Sequence, residues 1–180
     1  SEETCQFLLS FAHEVMDRYG RLLAFVNRLQ PSATRPKRRP VTYNERLLKA
    51  GWITPYFIWP NINPFRRQDS PIKAVIPPGK APEIVKREKT LSDARKWVRS
   101  ARKKKIGPFD AQNPLRLLPF EIRFLSQRRP PDRWVIDLGK SSNILIQPQN
   151  YYTVSNIEDR LFIPAEFIPL FVEAGWKRQE

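Results

Sequence analysis

The sequence predicts an α+β protein, and three observations carry that expectation. Short apolar runs bounded by turn residues alternate with stretches whose apolar residues recur three and four positions apart. Eighteen prolines in 180 residues keep the elements short. A hydrophobic fraction of 41%, with 12% aromatic, supplies enough large side chains for a packed core and excludes a disordered chain.

From Ser1 to Met16 the apolar residues Cys5, Leu8, Leu9, Ala12, Val15 and Met16 fall on one helix face, behind a negatively charged start at Ser1, Glu2 and Glu3. A helix is expected there. A strand follows Gly20, over Leu22–Val26. Gln30–Pro40, with three prolines and four basic residues, reads as an exposed loop. "TYNERLLKAGW" predicts a short helix stopped by Gly51. "ITPYFIWPNINPFRR" is barred from a regular helix by Pro55, Pro60 and Pro64 and is expected as an ordered aromatic loop. Residues 66–89, punctuated by Pro71, Pro77, Pro78 and Pro82, read as an exposed basic insertion. "TLSDARKWVRSARKKKIG" predicts a helix with a cap at Thr90 and Asp93, an apolar seam of Leu91, Ala94, Val98 and Ala101, and a stop at Gly107.

The composition changes after Phe109, which places a boundary near residue 110. Residues 111–180 are expected to form a small C-terminal α+β unit of unknown role. Its strands are "RWVIDL", "NILIQP" and "RLFIP", and its closing helix lies in "PAEFIPLFVEAGW", with Pro164 near the start and Gly175 at the stop.

The net charge of +14 is unevenly spread. Residues 1–110 hold 23 Lys and Arg against 10 Asp and Glu, whereas residues 111–180 hold 9 against 8. A basic field of this kind suits a polyanion, foremost nucleic acid, which binds such surfaces through counterion release. The single cysteine, Cys5, excludes an internal disulfide, and the lone His13 leaves no His/Cys cluster for zinc. No apolar run approaches the roughly 20 residues of a membrane-spanning helix, and no signal peptide is read at the start. A first residue other than Met is expected of a processed product or a fragment.

"DRYGRLLAFV", Asp17–Val26, resembles the second signature of the thermonuclease (staphylococcal-nuclease-like) family, in which Asp, a basic residue, Tyr, Gly and Arg precede a barrel strand. Asp17, Arg18, Tyr19, Gly20, Arg21, Leu23, Ala24 and Val26 fit, while Asn27 stands where an aromatic residue is usual. "TYNERLLKAGW" resembles the family's short helix, "PYFIWPN" its aromatic loop, and the basic helix from Leu91 to Gly107 its terminal helix. The resemblance covers residues 1–110, about the second half of such a domain.

It implies a partial OB-like, staphylococcal-nuclease-type β-barrel with helices, and phosphodiester hydrolysis in DNA or RNA, single strands included. Arg21 would contact the scissile phosphate. Its guanidinium, with paired donors, suits the negative charge built on the non-bridging oxygens. Arg18 and Tyr19 would approach a neighbouring phosphate, and Tyr56 and Trp59 would stack on or flank a base. The resemblance also implies Ca2+, but the family's metal-binding aspartates lie in an upstream Asp-Gly-Asp-Thr signature that this sequence lacks. No metal ligand is therefore assigned to the chain. It is expected to be either the downstream part of a longer nuclease or a nuclease-like nucleic-acid-binding module that no longer cuts. The helix expected before Asp17 stands where the family has a strand.

Other candidates reduce to structural roles. Asp137 and Lys140 in "PDRWVIDLGK" are one residue too far apart for a PD-(D/E)xK site, and Asp137 reads as a strand-end turn residue. Glu158 and Asp159, adjacent in an extended chain, would point apart and pair with Arg160 or Arg133. His13 has no partner in sequence, and Cys5 reads as a small core residue. Arg102–Lys105 reads as a solvated, dipole-complementing helix end.

Overall fold

The computed structural model describes residues 7–16, 20, 22–28, 41–61 and 70–180. Strand β1 (Phe7–Met16) pairs antiparallel with β2 (Leu22–Arg28), from Phe7↔Arg28 to Phe11↔Ala24, and resumes after an irregularity at Met16↔Leu22. The expected N-terminal helix is thus corrected to a strand over these residues, and the strand thought missing before Asp17 is present. Leu8, Leu9, Val15 and Met16 satisfy helical spacing, but Phe7, Leu9 and Phe11 also alternate, and pairing with β2 decides between the two periods.

Helix α1 (Tyr43–Ala50) begins with a reciprocal cap. The Thr42 hydroxyl accepts from the Glu45 N–H at 3.1 Å, and the Glu45 carboxylate accepts from the Thr42 N–H at 2.9 Å. It stops at Gly51, whose φ of +77° is open to glycine at little cost. The side-chain oxygen of Asn44 accepts from the Val26 N–H at 3.2 Å and ties the helix to β2.

The described part of the expected insertion is not an exposed excursion. Pro71 and Pro82 occupy the first turns of α2 (Pro71–Ala74) and α3 (Ala81–Arg87), where a missing N–H costs little, and Ile76, Ala81 and Val85 are buried. Helix α4 (Lys89–Lys104) buries the seam expected of it, Leu91, Ala94, Val98 and Ala101. It starts after Glu88, without a side-chain cap, and not at Thr90. Just beyond it, a Cβ on Gly107 would meet the Gly51 carbonyl oxygen at 2.0 Å, so the ends of α1 and α4 press together only because no side chain stands there.

Beyond residue 110 come α5 (Pro119–Ser126), β4 (Trp134–Asp137), β5 (Ile144–Leu145), β6 (Arg160–Ile163), α6 (Ile168–Glu173) and β7 (Lys177–Arg178). The aromatic loop contributes β3 (Phe57–Ile58), parallel to β6, while β4 lies antiparallel on the other side of β6, and β5 pairs parallel with β7. The fold is α+β, with three small sheets and no closed barrel among the described residues.

Strand β6 is buried along its whole length, and the two-residue period of a strand divides its side chains. Leu161 and Ile163 enter a cluster with Trp59, Leu91, Phe171 and Trp176, whereas Phe162 joins Phe120, Val135 and Val154. Trp59 donates its indole N–H to the Ala74 carbonyl at 2.9 Å, and Trp176 donates to that of Ile76 at 2.6 Å. The larger cluster draws side chains from both sides of residue 110. Trp59→Ala and Trp176→Ala are each expected to cost about 3–5 kcal/mol in urea unfolding. Each loss should appear in one shared transition; two separable transitions would show that the segments on either side of residue 110 pack independently.

Candidate nucleic-acid interface

The block that resembles a phosphate-binding signature is delivered by the β1–β2 hairpin. Gly20 lies between the paired residues Met16 and Leu22 with φ of +76°, a backbone conformation that side chains other than glycine rarely adopt. Arg18, Tyr19 and Arg21 lie outside the described residues, as do Asp17 and Cys5. Around the hairpin, Phe7, Leu8, Leu9, Met16 and Leu22 are all exposed.

The aromatic loop separates the two rings expected at a base. Trp59 has no exposed surface: its ring packs edge-on against Phe167 at 4.8 Å and Phe171 at 5.0 Å, and its N–H is spent on Ala74. The expectation that it flanks a base is corrected, because burying so large an apolar ring outweighs exposing it. Tyr56 is 36% exposed. It stacks on Phe120 at 4.8 Å and leans on Phe162 at 4.7 Å, which hold it from the C-terminal side of the chain. Its hydroxyl accepts from Arg133 Nη1 at 3.3 Å. Burial raises the phenol pKa, and the nearby Arg133 opposes that rise.

The basic face of α4 divides in two. Arg95, Arg99 and Arg102 flank the apolar seam and meet a 3-10 turn at Ile157–Asp159. Arg95 donates to Asp159 Oδ1 through Nη2 at 2.5 Å and Nε at 3.0 Å, Arg99 Nη2 donates to the same oxygen at 3.2 Å, and Asn156 donates to Oδ2 at 3.0 Å. Arg102 donates to Glu158 and to Asn156. The pairing expected of Glu158 and Asp159 with Arg160 or Arg133 is thereby corrected, since the turn aims both carboxylates at α4. Of the end read as solvated, Arg102 is engaged, while Lys103, Lys104 and Lys105 are exposed.

A sequence signal for this cluster existed. Arginines directly follow the seam residues Ala94, Val98 and Ala101, lysines stand at 96, 103 and 104, and arginine is the cation suited to buried pairs. Asp137 takes its expected turn role, accepting from the Gly139 N–H at 2.9 Å, with Lys140 Nζ 3.5 Å from its other oxygen. His13 lies in β1, and its side chain is outside the described residues.

Calcium finds no site among the described residues. No three Asp, Glu, His or Cys side chains gather to hold a metal ion. Asp137 and Asp159 do approach each other, both within 3.2 Å of the place a Cβ would take on Gly139, but Lys140, Arg95 and Arg99 already neutralise them. A hard cation would have to displace those partners.

The chain is similar to the endonuclease YhcR of Bacillus subtilis (strain 168), 27% identical over 168 residues, which is 93% of this chain and 11% of that protein. The chain therefore spans about a ninth of the length of the curated relative it matches. No family model matches the chain, and no solved structure matches it significantly. An alignment of that length leaves only about a dozen residues outside it, so it takes in Asp17–Val26 and also α4 and the Glu158–Asp159 turn, wherever its ends fall. The similarity to that protein thus runs past residue 110 into the C-terminal segment.

Burial alone would raise the pKa of Asp159, but hydrogen bonds from Arg95 and Asn156 and the charges of Arg95 and Arg99 hold it below the usual carboxylate value. A depressed native pKa contributes stability that is present above the ordinary carboxylate pKa and lost as pH falls through the native value. Asp159→Asn, which leaves Arg95 buried without its carboxylate, is expected to cost about 3–5 kcal/mol at neutral pH. In denaturant titrations from neutral to acid pH the variant should also show a flatter acid limb; an acid limb as steep as that of the unaltered chain would exclude Asp159 as its source.

Proposed function

We propose that this chain is the phosphate-gripping part of a nuclease that hydrolyses phosphodiester bonds in DNA or RNA. Arg21 stabilises the charge that builds on the phosphoryl oxygens. Arg18 and Tyr19 hold a neighbouring phosphate, and Tyr56 lies against a base. The similarity to an endonuclease along 93% of the chain supports the class. The observation that carries the role is the β1–β2 hairpin: it bears the signature, yet Leu8, Leu9, Met16 and Leu22 remain exposed. Helix α1 meets the hairpin at Asn44 and Tyr43, and the apolar side chains left exposed on it call for a further covering element. A hairpin that belongs to a larger barrel would present such a surface, which supports this reading.

Calcium enters this reading only through the resemblance. Its ligands are assigned to residues outside this chain, and no chemical step is assigned to it here. A second reading is a nuclease-like module that binds nucleic acid without cutting.

One experiment separates the two. The 180-residue chain alone is expected to bind single-stranded DNA with affinity falling steeply as salt rises, and not to cleave it. Extended to include its upstream coding sequence, it is expected to cleave in calcium, and Arg21→Ala should lower that rate by about 10²–10³-fold. An extended chain that binds and never cuts, or one that cuts equally well without Arg21, would establish the binding module or remove Arg21 from the chemistry.

A further inference from the structure

The near-neutral balance beyond residue 110 conceals a local cation field. Residues 111–133 hold Arg116, Arg123, Arg128, Arg129 and Arg133 against Glu121 and Asp132. Two of these arginines lie beside the packing around Tyr56, one against its ring and one following Phe120 on α5. Arg133, at the entry to β4, donates to the phenol oxygen at 3.3 Å and lays its guanidinium 5.5 Å from the ring centroid. Arg123 sits one turn beyond Phe120 on α5, the ring on which Tyr56 stacks, and its charge also reaches the phenol.

Arg133 spends one N–H on the Tyr56 hydroxyl. Glu121 is already occupied by the Leu118 N–H and the Tyr151 hydroxyl. Glu121 and Asp132 together offset only part of the charge of the five arginines over residues 111–133. A guanidinium has five donors, and one spent on a phenol leaves a fork free for an anion.

We propose that Arg133 and Arg123 hold a backbone phosphate of the nucleic-acid strand whose base lies against Tyr56, making residues beyond 110 part of the nucleic-acid interface. This rests on the reading of Tyr56 given above. Strand-binding sites pair a ring for a base with a cation for the adjoining phosphate, and here the two are joined by a hydrogen bond before any ligand arrives. The ring comes from the aromatic loop, the cations from the C-terminal segment.

The test is fluorescence anisotropy of the whole chain with a labelled single-stranded oligodeoxynucleotide, titrated across potassium chloride concentration. Arg133→Gln combined with Arg123→Gln is expected to reduce the slope of log K against log salt by about 0.7, the value of one single-strand phosphate contact, and Arg133→Gln alone by part of that. Arg133→Lys, which keeps the charge, should hold the slope near that of the unaltered chain. Lys177→Gln removes the same charge from exposed β7 and should leave the slope unchanged. An Arg133→Gln slope equal to that of Lys177→Gln, in folded proteins, would overturn the proposal and leave the nuclease reading standing. Absence of salt-dependent binding by the unaltered chain would overturn both.

Discussion

The contact between Arg95 and Asp159 is the constraint on which the arrangement depends. Removing both charges from water is costly, and the attraction between them offsets that cost only when hydrogen bonds satisfy the remaining valences. Here the carboxylate takes donors from Arg95, Arg99 and Asn156. The pair fixes the rotation of α4 about its axis. Leu91, Ala94 and Val98 must then point inward, and Lys96, Lys103 and Lys104 must point to water. The outer charge of the helix is therefore set by an inner ion pair.

The same constraint brings the C-terminal segment against the aromatic loop. Strand β6 follows the Ile157–Asp159 turn directly and pairs with β3, so the turn that binds α4 also places Phe162 under Tyr56. Phe120 closes the other contact. A ring read in the sequence as part of a binding loop is thus held by side chains more than sixty residues away. Its neighbour Trp59 is consumed by the core.

Local signals were legible where local physics decides. Gly51 marks the stop of α1, and the Leu91–Ala101 seam marks the buried face of α4. The strand β1 was misread because its apolar residues satisfy two periods, and only pairing with β2 chooses between them. The core that crosses residue 110 was hidden by a charge boundary that marks composition and not packing. The ion cluster joins residues sixty or so positions apart and left only the choice of Arg over Lys as a trace. For the proposed site, Tyr56 was read from the aromatic loop and Arg133 was not, since nothing adjacent in sequence links them.

The most direct test of a nucleic-acid strand running over this surface is photocrosslinking of a bromouridine-substituted single-stranded oligonucleotide to the whole chain, with the adducts mapped by mass spectrometry. Adducts in the peptides that carry Tyr19 and Tyr56 are the expected result. Adducts confined to peptides remote from both, or none at binding saturation, would contradict it.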